Sequence, residues 1–210
     1  MPMAVYLLNL HTLCENDVEA LSQTLPPFRA ESAKRYRRRE AYVQSVEGFC
    51  LVRYVLKQLD PHIDTDAWTF AESGKPHLRE GTPFFNLSHT AHCVAVAVSE
   101  HEELGIDVEE IKPHAAGFAK KFCSEAECAL IRSAADPASE LTRLWSAKEA
   151  EAKRSGVGVG RGIREIPLET VQSVRFSLDG IPHWLSVSPA GEMPPIISVD
   201  KKEVLSICSI

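Results

Sequence analysis

Leu104-Gly105-Ile106-Asp107-Val108-Glu109-Glu110-Ile111 is the stretch that organises this chain. In an extended strand successive side chains point to opposite faces, so residues two apart share a face. Asp107 and Glu109 therefore project together, while Ile106 and Val108 face a core. Two carboxylates on one rigid strand form half a cage for Mg²⁺, which takes oxygen ligands and leaves room for water and phosphate. A bare Asp-x-Glu is otherwise a strand with one solvated face, so its companions in the chain decide the reading.

Upstream of this strand, residues 4–9 read as a strand. Residues 15–25 read as a short helix stopped by Pro26-Pro27. Residues 28–59 have a helical pattern throughout. The middle of that stretch is basic, with Lys34, Arg35, Arg37, Arg38 and Arg39, and its second part carries Val46, Phe49, Cys50, Val52 and Leu56 at core-facing spacing. Residues 66–71, 84–88 and 94–99 read as strands. Glu72-Ser73-Gly74-Lys75-Pro76 is turn chemistry around one lysine.

Downstream, residues 118–122 open a helical stretch, and Ser124 with Glu127 has the spacing of a capping box. Residues 139–154 form the next helix, with Leu141, Leu144 and Trp145 on one side. The run Gly156-Val157-Gly158-Val159-Gly160 follows that helix, where a dinucleotide fingerprint would follow a strand, so it reads as a helix terminator and turn. Residues 174–178, 183–187 and 204–210 are strand candidates. Each half thus runs from helices to short strands. The fold expected is α+β, with two similar lobes in a pseudo-twofold, each a small mainly antiparallel sheet packed with helices. The lobes are 1–103 and 104–210.

At 210 residues the chain can bury one sizeable core or two small lobes. Its net charge of −6 argues against a dedicated nucleic-acid binder. No apolar run is long enough to cross a membrane, and residues 1–10 lack the basic start and cleavage site of a signal peptide. The six cysteines are scattered without metal-ligand spacing, which points to buried thiols in a reducing, cytoplasmic setting and to no zinc site.

The chemistry-bearing residues lie in two further stretches. In Trp145-Ser146-Ala147-Lys148-Glu149-Ala150-Glu151-Ala152-Lys153, Glu149 and Lys153 are one helical turn apart. They make either a helix-stabilising ion pair or, read with Asp107 and Glu109, a third metal ligand or general base beside a phosphate-neutralising ammonium. In Asn86-Leu87-Ser88-His89-Thr90, Ser88 and His89 sit at a strand end, where they either satisfy the local structure or hold a phosphate.

Gly74-Lys75-Pro76, then Phe85 to Thr90, then Gly105 to Glu109, then Trp145 to Glu149 with Lys153, resemble in order and interval the 4′-phosphopantetheinyl transferases. The likeness is to the larger, surfactin-synthetase-activating (Sfp-like) type, in which one chain carries two lobes. It runs from the basic helix to about Gly160. It implies Mg²⁺-dependent transfer of the phosphopantetheine arm of coenzyme A to a serine of an apo acyl or peptidyl carrier protein, with release of adenosine 3′,5′-bisphosphate.

By the same resemblance Asp107, Glu109 and Glu149 hold the metal, with Glu149 the third ligand or the base. Lys153 meets the pyrophosphate, Ser88 and His89 meet phosphates, and Lys75 and Pro76 lie against the adenine nucleotide. Arg29 falls where the family has a basic residue for the 3′-phosphate, and Glu127 matches an acidic position near the metal. The chain departs from the family pattern at Ser32, where a second basic residue is frequent; Lys34, Arg35 or a residue near Ser45 are the alternatives. A monomer is expected, without nucleic acid or membrane. The competing readings are a non-catalytic coenzyme A or nucleotide-binding module and a Mg²⁺-dependent phosphohydrolase.

Overall fold

The computed structural model describes residues 2–158 and 162–206. It is an α+β protein with small, mostly antiparallel sheets packed with helices. A four-stranded sheet has the order β4 (Phe84–His89), β5 (Cys93–Ser99), β1 (Ala4–Asn9), β9 (Ile196–Val199). β5 is antiparallel to both neighbours, and β9 joins β1 in parallel. A three-stranded antiparallel sheet has the order β6 (Gly105–Glu110), β8 (Ile181–Ser188), β7 (Gln172–Leu178). A hairpin of β2 (Trp68–Phe70) and β3 (Pro76–Leu78) carries the Gly74-Lys75 turn.

The two larger sheets meet through β5, every residue of which is buried. Its side chains alternate, as strand geometry requires. Val94, Val96 and Val98 pack with Val46, Cys50 and Leu56 of helix α3 (Arg39–Leu59). Cys93, Ala95 and Ala97 pack with Leu104, Ile106, Val108, Leu185 and Val187 of the second sheet. Small residues on that side of β5 allow the sheets to approach. Ile106 and Val108 thus face the inter-sheet core, and the opposite face of β6 is left to Gly105, Asp107 and Glu109.

That opposite face receives helix α5 (Pro137–Ser155). The contact is tightest at Gly105, where a Cβ would stand 1.9 Å from the carbonyl oxygen of Ala150 and 2.7 Å from the amide nitrogen of Arg154. Only a glycine lets the strand and helix come this close. Asp136 caps α5 by accepting from the Ser139 amide, Pro137 fits its first turn, and Gly156 ends it at φ 73°. Helix α4 (Glu125–Ser133) begins with the Ser124–Glu127 capping box.

The basic helical stretch is not continuous. Helix α2 (Pro27–Lys34) ends before the arginine run, and Arg38 is extended as the residue preceding α3. Arg35, Tyr36, Arg37 and Arg38 are all exposed, so no apolar stripe ties this segment to the core and the chain turns there. The strand expected at 204–210 is also corrected. Lys201–Leu205 is a short helix, α6, begun by a capping box of Asp200 and Glu203, and residues 207–210 lie outside the described residues. The third C-terminal strand is β9, which returns with α6 to pack on β1 and α3. Residues 118–122 contribute only a 3₁₀ turn at Ala119–Lys121. Among the described residues, no helix is long and apolar enough to cross a membrane.

Candidate active site

α3, β4, β6 and α5 converge on a cleft with two connected bays. The larger, about 440 Å³, is lined by Arg29, Tyr36, Gln44, Ser45, Ser88, His89, Asp107, Glu109, Glu149 and Lys153 among others. The smaller, about 290 Å³, shares Leu87, Glu149 and Lys153 with it and adds the Ser73–Pro76 turn, Asn86, Gly156 and Gly158. Arg29, Lys75, Pro76, Ser88, His89, Asp107, Glu109, Glu149 and Lys153, from five separate segments, therefore line these two bays, which share Leu87, Glu149 and Lys153.

Asp107 is 3% exposed. Its Oδ1 accepts from Ser88 Oγ at 2.8 Å and from Lys153 Nζ at 2.7 Å. Its Oδ2 is buried with no hydrogen-bond partner. Lys153 also donates to Ser88 Oγ at 3.1 Å and to the Ile106 carbonyl at 3.2 Å. The lysine thus bonds across the cleft to β4 and β6 instead of forming the helical-turn pair with Glu149.

Glu109 Oε1 accepts from the Trp145 indole N–H at 2.9 Å. Burial, and then the Asp107 charge, push the carboxyls of Glu109 and Glu149 each up to about 7. His89 is pushed below the usual imidazole range by the surrounding protein and then by the Lys153 charge, so it is a neutral donor at pH 7.

The donor set is oxygen-only carboxylate, the kind Mg²⁺ accepts, and Asp107 Oδ2 is buried with no hydrogen-bond partner. Among the described residues, no group of three or more His, Cys, Asp or Glu side chains is placed to hold a metal ion. The Lys153 ammonium supplies the countercharge on Asp107 instead. Asp107, Glu109 and Glu149 line the same bay without forming a metal cluster by themselves.

The remaining sequence candidates fall into place as follows. Arg29 Nη2 donates to the Ser45 carbonyl at 3.1 Å and to its Oγ at 2.9 Å, its guanidinium lies 5.9 Å from the Phe49 ring centroid, and its Nε is buried without a partner. Ser45 thus aims Arg29, whereas Lys34 and Arg35 are exposed and line neither bay. Lys75 and Pro76 wall the smaller bay, but the Lys75 ammonium is engaged by Glu103 and by the Leu104 carbonyl at 2.9 Å, so it fastens the turn to the start of β6. Glu127 does not line the cleft. It caps α4 and pairs with Lys148 at 3.0 Å.

Two residues escaped the sequence reading. Asn86 Oδ1 accepts from the Ile106 amide at 3.0 Å and ties β4 to β6; it shares a strand face with Ser88, two residues on, which was the available signal. Trp145 is one turn before Glu149 and so lies on the same helix face. Its ring was read only as apolar filling, and its N–H on Glu109 went unnoticed.

Carboxylates, an ammonium and a neutral imidazole around one polar bay make a site for phosphoryl-group chemistry. The model of the 4′-phosphopantetheinyl transferase superfamily matches residues 103–192. A 4′-phosphopantetheinyl transferase of Bacillus pumilus, psf-1, is 28% identical over 99% of this chain and 90% of its own. The Sfp transferase of Bacillus subtilis is 29% identical over 80% of this chain and 74% of its own. A Synechocystis protein provisionally given the same activity is 30% identical over 79% and 75%. The chain belongs to the 4′-phosphopantetheinyl transferase superfamily and is an enzyme of that kind.

Proposed function

We propose that this enzyme transfers the 4′-phosphopantetheine arm of coenzyme A to a serine hydroxyl of an apo acyl or peptidyl carrier protein, with Mg²⁺, releasing adenosine 3′,5′-bisphosphate. The observation that carries the reading is the single cleft shared by Asp107, Glu109, Glu149 and Lys153, with Asp107 Oδ2 unpartnered at its floor. Asp107, Glu109 and Glu149 would hold the cation, which when bound neutralises pyrophosphate charge and polarises the reacting phosphorus.

The chain's own residues supply the rest. Glu149 takes the serine proton directly or through one water as the serine oxygen bonds to the β-phosphorus. The bond from that phosphorus to the bisphosphate oxygen breaks, and Lys153 neutralises the charge that develops there. Ser88 holds Lys153 and Asp107 in place, and His89 donates to a phosphate oxygen. Arg29 meets the 3′-phosphate, and the Lys75-Pro76 turn walls the adenine end.

In this reading the chain is two pseudo-symmetric lobes, 1–103 and 104–210, working as a cytoplasmic monomer without nucleic acid or membrane. Because β9 pairs with β1, Ile196–Val199 belongs structurally to the first sheet.

Incubation with coenzyme A, Mg²⁺ and an apo-carrier tests the proposal by mass spectrometry. A carrier gain of one phosphopantetheine supports it. Bisphosphate without modified carrier would make the protein a hydrolase, and binding without reaction would make it a coenzyme-binding module.

A further inference from the structure

We infer that this enzyme reads the 3′-phosphate of its nucleotide with one guanidinium alone, that of Arg29, and therefore also takes coenzyme A lacking that phosphate as a donor. The inference rests on the transferase reading above and widens its donor class.

Among the described residues, the side chains that can carry positive charge in the two bays are Arg29, Lys75, His89 and Lys153. Three of them are already committed. Lys153 is paired with Asp107 at 2.7 Å. Lys75 is engaged by Glu103 and by the Leu104 carbonyl. His89 is held neutral by burial and then by the Lys153 charge, so it offers a hydrogen bond without a charge.

Arg29 differs from these. Its Nη2 donates to the carbonyl and hydroxyl of Ser45, both neutral, and among the described residues no carboxylate pairs with it. A partly buried cation without a counterion favours an anionic ligand. Nothing nearby adds to its charge. Tyr36, Ala41, Gln44 and Ser45 line the same end of the larger bay and are all uncharged. Gln44 gives its amide to the Thr90 carbonyl at 2.8 Å. Ser32, one turn from Arg29 on α2, brings only a hydroxyl, and Lys34 and Arg35 line neither bay.

One charge-assisted contact is worth roughly tenfold to a hundredfold in affinity, far short of an absolute requirement. The 3′-phosphate also takes no part in the chemistry. With the shortened donor the serine oxygen bonds to the β-phosphorus, its proton passes to Glu149, and the bond to the leaving oxygen breaks. The leaving group is then adenosine 5′-monophosphate in place of the bisphosphate.

The test compares transfer to one apo-carrier from coenzyme A and from 3′-dephospho-coenzyme A, followed by carrier mass. The wild type is expected to prefer coenzyme A by roughly tenfold to a hundredfold in kcat/KM, with the difference in donor KM and kcat within about threefold. A preference well above a hundredfold overturns the inference, because more than one group would be reading the phosphate; no preference at all overturns it too. Arg29→Gln is expected to bring the two donors within about threefold of each other in kcat/KM. A general loss of activity lowers both donors alike, so a variant that keeps the wild-type ratio overturns the inference. If Arg29→Gln does not fold, Ser32→Lys sets a second cation one turn away: a preference raised several-fold supports the inference and an unchanged one overturns it. Should the wild type modify no carrier with either donor, the transferase reading fails. Calorimetric titration with the two nucleotides then decides the rest: weaker but measurable binding of the shortened one supports a single reading group, and equal binding, or binding of coenzyme A alone, overturns it.

Discussion

Lys153 Nζ stands 2.7 Å from Asp107 Oδ1, joining the last turns of α5 to the middle of β6. The carboxylate end is 5% exposed and the lysine 28%. Truncating one partner of such a pair leaves the other charge without its match in a poorly solvated place, the costly case for a buried ion pair. In the proposed reaction Asp107→Ala is expected to reduce transfer by roughly a thousandfold or more, since it would remove an oxygen for the cation and the anchor of Lys153 together. The fold should survive, as Asp107 projects to the cleft and not into the inter-sheet core. Glu149→Gln should be equally inactive and folded. Lys153→Ala should weaken coenzyme A binding or slow transfer. Initial rates with purified variants check all three, and near-normal turnover of either acid variant would remove it from the site.

Gly105 sets how close that strand and helix can come. A Cβ at 1.9 Å from the Ala150 carbonyl cannot be accommodated without moving backbone. Gly105→Ala is expected to push β6 from α5 and separate Asp107 and Glu109 from Glu149 and Lys153. Misplacement by about 1 Å at a reacting centre costs on the order of a hundredfold in rate. The variant should lose transfer by that order and unfold at lower denaturant than wild type. A stable and fully active Gly105→Ala protein would contradict the packing argument.

The acids and the helix that opposes them were readable because periodicity reports which face a residue occupies. Alternation in 104–111 put Asp107 and Glu109 on one side, and the four-residue interval put Glu149 with Lys153. Periodicity does not report which element lies across a gap. Lys153 could be placed on its helix face but not opposite Asp107, and Lys75, set by resemblance against the adenine nucleotide, gives its ammonium to Glu103 and the Leu104 carbonyl. Glu127 was linked to the metal by likeness of position. Its buried partner Lys148 comes from another helix, which no local pattern encodes. The helix break at Arg35–Arg38 was missed because arginine is a good helix former; what stops the helix there is the lack of any apolar face to bury.

Glu47 offers a pH-dependent stability test away from the cleft. It is 1% exposed on α3, and its Oε2 has no hydrogen-bond partner. Burial raises its carboxyl from 4.5 to about 8, with the Arg39 charge a smaller opposing influence. The folded pKa lies above the unfolded one, so the folded state holds the proton more tightly. This contribution to stability is complete below about pH 4.5 and is lost as pH rises to about 8, at up to roughly 1.4 kcal/mol per pKa unit. Glu47→Gln cannot ionise and should flatten that decline, becoming more stable than wild type by a few kcal/mol at pH 8.5. Urea unfolding at pH 5, 7 and 8.5 measures the difference. Parallel profiles for the two proteins would mean that Glu47 is charged or solvated in the fold.

The turn between α2 and α3 places Arg37 and Arg38 on the surface beside the larger bay, where Tyr36 is 48% exposed and lines the mouth. Arg35 and Arg38 have exposed partners in Glu31 and Glu40, contacts of little energetic weight. A basic rim on a chain of net charge −6 stands out locally, and it follows Tyr36, which lines the bay where the proposed reaction takes place. An acidic helical carrier would be drawn there by long-range attraction that salt screens. Arg37→Ala with Arg38→Ala should raise the carrier KM several-fold at low ionic strength, leave coenzyme A KM unchanged, and reduce the salt dependence of transfer. The effect should fade by about 0.5 M salt, where the screening length is only a few ångströms. Carrier KM values measured from low to high salt decide the matter: if the double variant tracks wild type throughout, the arginines lie outside the docking surface.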